Sequence, residues 1–582
     1  MNTDNYDYEK SSLPQSLDEY TPFLDKQTNN YINDQNSGVY SSNQSLVQFD
    51  LSSLYSSSKY TNTNDMFITI PITMVFALSV ANAAPSVAPP TAGWALQTLK
   101  SGYHNLIHQA DLQIDGKTVS ESQPFLGTFA GIKLMSELSQ TDLKSFGSVI
   151  GFSDVVDTPN SVIWNSDVTT AANWTNGNGM TNNTVFGHSS QPLGTVNQNV
   201  SVCNEAINKR ALRTIDVSKA GLNKLVGSIV SSDQLMSDFK STYQILNTNY
   251  GVIYDLAIIR LKDILDVTDK LGLVKRFNGV LRLYVNTGSL YISCNSGLAA
   301  DAAIPRYNFS VGNSTFNNTC PFTINNLNIA TSAGGGIPFA QTQISAGLFI
   351  GKALQTSLNG VNLGASGASH KMQACRLYYS TVQLEPEKAL SYSRANQMKN
   401  IVFKNYYFNQ INNVASGTNY SSLIQSGITN PYALIIVPYI SSTVPGMSGT
   451  YQWQSPFDTC PATGSPCILS NLQVQLGGQQ VLNSSYYYGF EDFVTQYVNC
   501  ESLSSSDFGV GVGVINKEWW DLNRIYYVNL SRSTKSDRMT PRNIVLSFKN
   551  DSLVSIDLKV FTVYLDSFKI NVDSGQITTG QM

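Results

Sequence analysis

The chain has 582 residues, too many for one ordinary core, so two to four domains are expected. Apolar residues reach 42% and charged residues only 13%, about half the charge usual in soluble domains. A net charge of −4 excludes a general attraction to nucleic acid or to an anionic membrane, and the β-branched, aromatic and turn-forming residues point to an all-β protein.

Residues 1–45 are polar and acidic, with Asp4, Asp7, Glu9, Asp18, Glu19, Asp25 and Asp34 against Lys10 and Lys26. They lack a basic n-region and an apolar run, so they are no secretory signal, and a disordered or loosely docked arm is expected. Met66–Ala84 is nearly long enough to span a membrane. Pro71, Thr69, Thr73, Ser79 and Asn82 argue instead for one or two doubly buried strands, with Pro71 at an edge or bulge. His104 and His108 are four apart, but there is no HExxH and the stretch leads into a strand, so no metal site is expected.

Leu112–Val119 alternates apolar and polar residues around Asp115-Gly116, a tight-hairpin signature. Phe125, Phe129, Ile132, Met135 and Leu138 follow at helical spacing. About 154–200 is Asn/Thr/Gly-rich loop material. Leu261, Ile264, Leu265, Thr268 and Leu271 predict a helix capped by Gly272, and Leu281, Leu283 and Val285 a half-buried strand. A second loop-rich stretch, 289–370, contains Gly334-Gly335-Gly336 and Asn359-Gly360. A domain boundary is expected near residue 390, after Leu384-Glu385-Pro386-Glu387.

The later chain repeats the earlier one. Val474–Val481, with Gly477-Gly478 at its tip, echoes Leu112–Val119 at a spacing of 362 (474 minus 112). Leu434–Tyr439 echoes Phe67–Ile72, with Pro438 matching Pro71 at 367 (438 minus 71). Tyr486, Phe490, Phe493 and Tyr497 supply a helix after the second hairpin. Two weaker matches, Ile207–Arg210 with Ile515–Glu518 and Cys375–Tyr379 with Val560–Tyr564, fall at 308 and about 185. The shrinking offset implies two copies of one domain with two insertions in the first, both read as protruding surface loops. A second copy over about 400–572 suits a β-sandwich of roughly eight strands.

Little of the chain suggests chemistry. There is no GxSxG and no P-loop lysine, and Gly509-Val510-Gly511-Val512-Gly513 lacks the lysine that phosphate binding needs. Glu491-Asp492 and Asp263/Asp266 read as solvated helix faces. Trp519-Trp520, Tyr526-Tyr527 and Tyr486-Tyr487-Tyr488 read as core and interface. Seven cysteines without CxxC read as mostly free thiols, with a Cys460–Cys467 loop sterically possible. The sequons at Asn43, Asn308 and Asn313 are expected by chance and unmodified. No catalytic, cofactor-binding or metal residue is assigned. The positions singled out are the hairpin turns Asp115, Gly116, Gly477 and Gly478 and the strand prolines Pro71 and Pro438.

Two tandem copies of Pro-containing strand, hairpin and aromatic-led helix resemble the double jelly-roll major capsid proteins of DNA viruses. Val47–Leu51, Ile259–Ile264, Leu377–Tyr407 and Leu472–Phe493 resemble more narrowly those of polinton-like viruses and virophages. The resemblance covers about 45–575. It implies two tandem eight-stranded jelly rolls: 46–389 with insertions at about 154–200 and 289–370, then 390–575, with 1–45 an arm and 576–582 a tail. It further implies a homotrimeric, pseudo-hexameric capsomer tiling an icosahedral shell around double-stranded DNA, with tower loops from the first roll. The location would be the virion, assembled inside the host cell. Penton and minor capsid proteins, a packaging ATPase and a maturation protease would be partners, without cofactors or sequence-specific nucleic-acid binding. Only Asp573–Met582 follow the last expected strand, so the C-terminal processing of some virophage capsid proteins is not expected. The alternatives are a single jelly-roll capsid protein with a projecting domain, which the repeat disfavours, and a carbohydrate-binding adhesin, which should carry a signal peptide and paired cysteines.

Overall fold

The computed structural model describes residues 24–38, 40, 45–55, 58–80, 96–100, 102–121, 123–147, 149–152, 250–296, 307–312, 315–316, 319–325, 342–351, 357–358, 361–362, 374–441, 451–454, 467–484, 487–500, 513–531 and 540–578. The loop stretch expected at about 154–200, Ile207–Arg210, Gly334–Gly336, Asn359-Gly360, Cys460 and Gly509–Val512 lie outside them.

Eight strands form the first unit: β1 (Leu24–Asn33), β2 (Leu46–Asp50), β3 (Tyr60–Val80), β4 (Ile107–Ile114), β5 (Lys117–Ser120), β6 (Tyr250–Arg260), β7 (Gly279–Val285) and β8 (Arg376–Leu384). Eight more form the second: β9 (Lys399–Val414), β10 (Asn419–Ile428), β11 (Pro431–Ile440), β12 (Leu469–Leu476), β13 (Gln479–Asn483), β14 (Tyr526–Asn529), β15 (Arg542–Asn550) and β16 (Ile556–Ile570). The first unit pairs them as β1-β8-β3-β6 and β2-β7-β4-β5. The second pairs them as β9-β16-β11-β14 and β10-β15-β12-β13. Among these sixteen, every strand thus has the same neighbours as the strand eight places later, all antiparallel. Two four-stranded sheets interleaved in this order make a jelly roll.

Local sequence explains the elements. In β7 and β15 buried residues alternate with half-buried ones, as a sheet with one covered face requires. β11 is buried along almost its whole length, because its outer face meets the first roll. Helix α1 (Leu126–Glu137) follows the first hairpin, and α2 (Asp266–Leu271) ends at Gly272 with φ 67°. A short turn over Leu261–Ile264 precedes α2, and extended Leu265 breaks the single helix expected there. Helix α3 (Pro386–Ala395) links the rolls, with Pro386 in its first turn.

Three further expectations change. The arm is not loose over its whole length: residues 24–33 are β1, an edge strand of the first roll paired with β8. Beyond it, the Tyr40 hydroxyl donates to the Asp34 carboxylate at 2.9 Å and accepts from the Cys375 amide at 2.8 Å. The insertion at 289–370 is not only loop. Strands Thr342–Ile350 and Gly288–Ser296 extend the first roll's larger sheet beyond β3. Pro71 lies on a central strand, not an edge. It falls where β3 exchanges β8 (last opposite Thr69) for Thr342–Ile350 (first opposite Ile72), so its missing N–H costs no ladder bond on that side. Its carbonyl accepts from the Gly351 amide at 2.8 Å.

Candidate functional site: the seam between the two rolls

The two hairpins are built alike. Asp115 and Gly116 have φ of 51° and 73°, and Gly477 and Gly478 have 59° and 81°, the doubly positive turn that suits strand twist. The Asp115 amide donates to the Asn278 carbonyl and the Gly477 amide to the Asn543 carbonyl, each at 2.8 Å. Leu112 lies opposite Leu281, as Val474 lies opposite Leu546. Asp115 therefore holds the place of Gly477, and Gly116 that of Gly478.

The strand prolines do not match in this way. Ile68 lies opposite Leu377 and Ile259, while Leu434 lies opposite Thr562 and Val528. Tyr526, opposite Ile436, reaches inward to the Cys467 carbonyl and the Leu469 amide. Phe561, opposite Ile435, faces outward to Phe129 of the first roll. Inward Ile68 thus corresponds to inward Leu434, and Pro71 and Pro438 sit one position apart on opposite faces. Pro438 lies beyond Ile436, the last β11 residue that β14 pairs, so that side of it is an edge.

The rolls meet where α1 and α2 cover the outer face of β9-β16-β11. The Phe129 ring stacks on Tyr406 at 4.4 Å, and Phe125 meets Phe408 at 4.7 Å. The Tyr406 hydroxyl donates to the Pro124 carbonyl at 3.1 Å. Lys559, fully buried on β16, lies 3.8 Å from the Phe125 ring centre and within 5 Å of Tyr439 and Trp453.

A polar bridge crosses the same seam. Asp266 accepts from Lys133 Nζ at 3.1 Å and from the Lys404 backbone amide at 2.9 Å. Burial alone would raise the Asp266 carboxyl, but Lys133, Lys270 and Lys404 hold it down at about 2. Asp263 pairs with Arg260 at 2.8 Å. These two carboxylates, expected on solvated faces, are largely buried because α2 packs under the second roll. Lys399 Nζ reaches the Leu271 carbonyl at 2.8 Å, and burial lowers its pKa to about 8. The cavity left here is about 60 Å³, small against the roughly 300 Å³ or more of ligand pockets. The seam is a packed joint.

Two further segments of the second roll clasp the first. Gly513, the last glycine of the Gly-rich stretch, lies so close to α1 that a Cβ there would stand 2.2 Å from the Met135 carbonyl oxygen. Val514 donates to that carbonyl at 2.9 Å, occupying an acceptor that a helix end leaves open. After β16 the chain turns at Asn571–Gly575 and returns as Ile577–Thr578 along Lys569–Ile570. Val572 plugs a separate apolar cluster with Tyr60, Leu273, Val382, Leu384 and Tyr392. The Lys275 amide donates to the Val572 carbonyl at 2.8 Å, Lys117 Nζ to the Ile577 carbonyl at 2.8 Å, and Ser393 bonds Asp573. The Ile577 amide points to the Asp115 carboxylate at 3.5 Å, so the first hairpin tip is a docking point as well as a turn.

The remaining candidates are structural. His104 is buried against Phe152, and burial lowers its pKa to about 3. His108 accepts from the Phe125 amide at 3.4 Å, and burial and then Lys559 lower it to about 4. Among the described residues no three His, Cys, Asp or Glu side chains gather as a metal site. Cys320, Cys375 and Cys467 are buried and outside any disulfide. Trp519, Trp520, Tyr488, Tyr526 and Tyr527 are core, whereas Tyr487 is half exposed. No described helix is long and apolar enough to cross a membrane.

No family model matches the chain, and no curated protein matches it. Among solved structures it is similar to a chain of the Sputnik virophage determined by cryo-EM, with TM-score 0.51 and 12% identity over 97% of this chain and 90% of that one. The Faustovirus major capsid protein aligns with TM-score 0.44 and 9% identity over 96% of this chain and 93% of its own. The mavirus major capsid protein aligns with TM-score 0.39 and 8% identity over 97% and 92%. The chain, two rolls built to one plan and joined along one seam, shares the fold of the Sputnik virophage chain.

Proposed function

We propose that this chain is a structural major capsid protein of a DNA virus of the virophage and polinton-like kind. Three copies would form a pseudo-hexameric capsomer, and capsomers would tile an icosahedral shell around double-stranded DNA. One observation carries this reading: two jelly rolls of the same strand order are locked into one body by a packed seam, in a fold matched by a Sputnik virophage chain over 97% of the sequence. Such a body offers extensive interface and needs no chemistry of its own. In this reading the rolls divide near residue 390, the first taking β1 from the arm, and Gly288–Ser296 and Thr342–Ile350, which pair in its larger sheet, would form the base of a tower. Low charge suits a shell filled by a packaging motor better than one condensing on its genome through phosphate contacts. Penton and minor capsid proteins are the expected partners, and the virion the expected location.

Negative-stain microscopy of the purified full chain tests the proposal. Pseudo-hexagonal trimers or closed shells are expected. A dispersed monomer that binds a glycan array would overturn it in favour of an adhesin.

A further inference from the structure

His108 sits at a bulge of β4, at the corner of the seam where α1 begins. Ile107 lies opposite Val285 and Gln109 opposite Tyr284, so the β4–β7 register skips His108. Its Nδ1 accepts the Phe125 amide at 3.4 Å, and the two rings meet edge to face at 5.9 Å. Phe125 is held at φ 60° and ψ 32°, a left-handed conformation that aromatic residues seldom adopt. The same ring meets Phe408 of the second roll at 4.7 Å, and Lys559 Nζ lies 3.8 Å from its centre. One phenyl ring thus touches a histidine of the first roll and a buried lysine of the second. Lys559 is the charged group that acts on His108, and it has the sign a protonated imidazole would take. Asp557, two residues before Lys559, accepts the Asn413 amide at 2.6 Å, and Asp111 on β4 pairs with Arg282 at 3.0 Å. Phe408 and Trp453, packed on Phe125, are uncharged. The second roll bulges at the matching place without a histidine. Ser470 stands four residues before Val474, as His108 stands four before Leu112, and it bridges to Tyr487 ahead of helix α4 (Phe490–Cys500).

We propose that His108 is an acid-operated release of the joint: protonation of its imidazole frees the Phe125 corner and lifts the start of α1 from the second roll before either roll unfolds. To accept the Phe125 amide, neutral His108 must leave Nδ1 bare. Protonation puts a hydrogen there, so the amide faces a donor. The same proton sets a positive charge beside the positive end of α1 and near Lys559. The other end of α1 stays docked. Asp266 holds Lys133 at 3.1 Å and keeps its charge well below pH 4, and Val514 donates to the Met135 carbonyl at 2.9 Å. Acid therefore tilts α1 about its far end. The closed joint holds His108 at about 4, and a released histidine titrates near 6.5. Between those values the opened fraction should grow about tenfold per pH unit. His104, four residues earlier, packs on Phe152 of the first roll and takes no part. The device lies within one chain and stands apart from the capsid reading.

Hydrogen exchange of the full chain, corrected for the intrinsic pH dependence of amide exchange, tests the proposal. The probe is the Phe129 amide, which donates to the Phe125 carbonyl at 3.1 Å. In wild type its protection should lie below that of β7 and β15 and fall about tenfold per pH unit from pH 6.5 toward 4. His108→Gln keeps an acceptor for the Phe125 amide and should abolish that fall. A second readout is radical footprinting of Trp453, which is 2% exposed. His108→Lys, a permanent cation, should expose Trp453 at pH 7 as acid does in wild type, with unchanged circular dichroism. The same fall in His108→Gln as in wild type would overturn the proposal. So would Phe129 exchange that matches β7 and β15 at every pH, since the joint would then open only as the rolls unfold. A folded His108→Lys with Trp453 still protected would overturn it as well, and if that variant does not fold, His108→Gln decides. None of these failures touches the capsid reading, which the shape of the assembled particles tests separately.

Discussion

Asp266 of the first roll accepts the backbone amide of Lys404 at 2.9 Å, so a side chain of one roll caps the edge strand of the other. The same carboxylate holds Lys133 at 3.1 Å. Removing it leaves a buried ammonium and an open strand amide together. Asp266→Ala should therefore cost about 3 kcal/mol, the range for breaking a buried pair at one partner. Asp266→Asn keeps an acceptor for Lys404 and should cost less. Denaturant unfolding of the two variants checks the order; equal and negligible losses would show that the bridge adds nothing to the joint.

The stability of the chain should fall with acid in two separable steps. Burial pushes His104 from 6.5 to about 3, so below pH 6.5 the unfolded chain binds a proton that the folded chain refuses. Stability then decreases as pH drops from about 6.5 toward 3. Asp266 sits at about 2 against an ordinary 3.8, so its contribution is complete above about pH 4 and lost as pH falls toward 2. Melting temperature followed from pH 8 to pH 3 should decline already above pH 4 in wild type. His104→Gln should make that upper limb shallower, leaving the part that His108, lowered from 6.5 to about 4, contributes over the same range, and Asp266→Asn should change only the lowest part. A wild-type profile flat between pH 6.5 and 4 would contradict the buried neutral histidine.

Glycines at positive φ divide into two classes. At Gly116 and Gly478 an added Cβ meets nothing within 4 Å, so alanine costs only the left-handed backbone, about 1–2 kcal/mol at each. At Gly513 the Cβ would stand 2.2 Å from the Met135 carbonyl oxygen. Alanine there must also part the loop from α1, adding about 1–3 kcal/mol of overpacking. Chemical denaturation should rank Gly513→Ala well below the two hairpin variants. Similar losses at Gly116 and Gly478 would agree with their shared place in the two rolls.

What the sequence disclosed and what it hid follow from range. Both hairpins, α1, α4 and the alternation of β7 were legible because turn chemistry and periodicity act over a few residues. β1 was not: Leu24–Asn33 is mostly Asn, Gln, Thr and charge, and its ladder partner lies some 350 residues away. The Pro71–Pro438 match located the right strands but slipped by one, and a slip of one turns every side chain to the other face. Composition constrains register too weakly to prevent it. The seam had no local signature at all, since Lys133, Asp266 and Lys404 are far apart in the chain and each reads alone as a surface charge. The docking of Ile577 on Asp115 was equally hidden, although Asp in place of the glycine found at Gly477 marks where the hairpins differ in duty.

The return of the chain after β16 should set how firmly the rolls are held together. Val572 is fully buried among first-roll and linker side chains, and Gly575 packs so tightly that a Cβ would lie 2.4 Å from the Arg276 carbonyl oxygen. Neither residue belongs to the interior of either sandwich. Val572→Asp places a charge in an apolar socket without a partner, a loss the site avoids only by expelling the segment. The rolls would then remain joined by α3 and the α1–β9 packing. Hydrogen exchange should rise at Leu273–Lys275 and across α3, while β7 and β15 stay protected within their own sheets. Limited proteolysis should open between β8 and β9, in the segment around Asn396. Gly575→Ala should show the same pattern more weakly. Equal loss of protection in β7 and β15 would mean that the clasp supports the folding of the rolls themselves, and unchanged exchange at Leu273–Lys275 would mean that it supports neither.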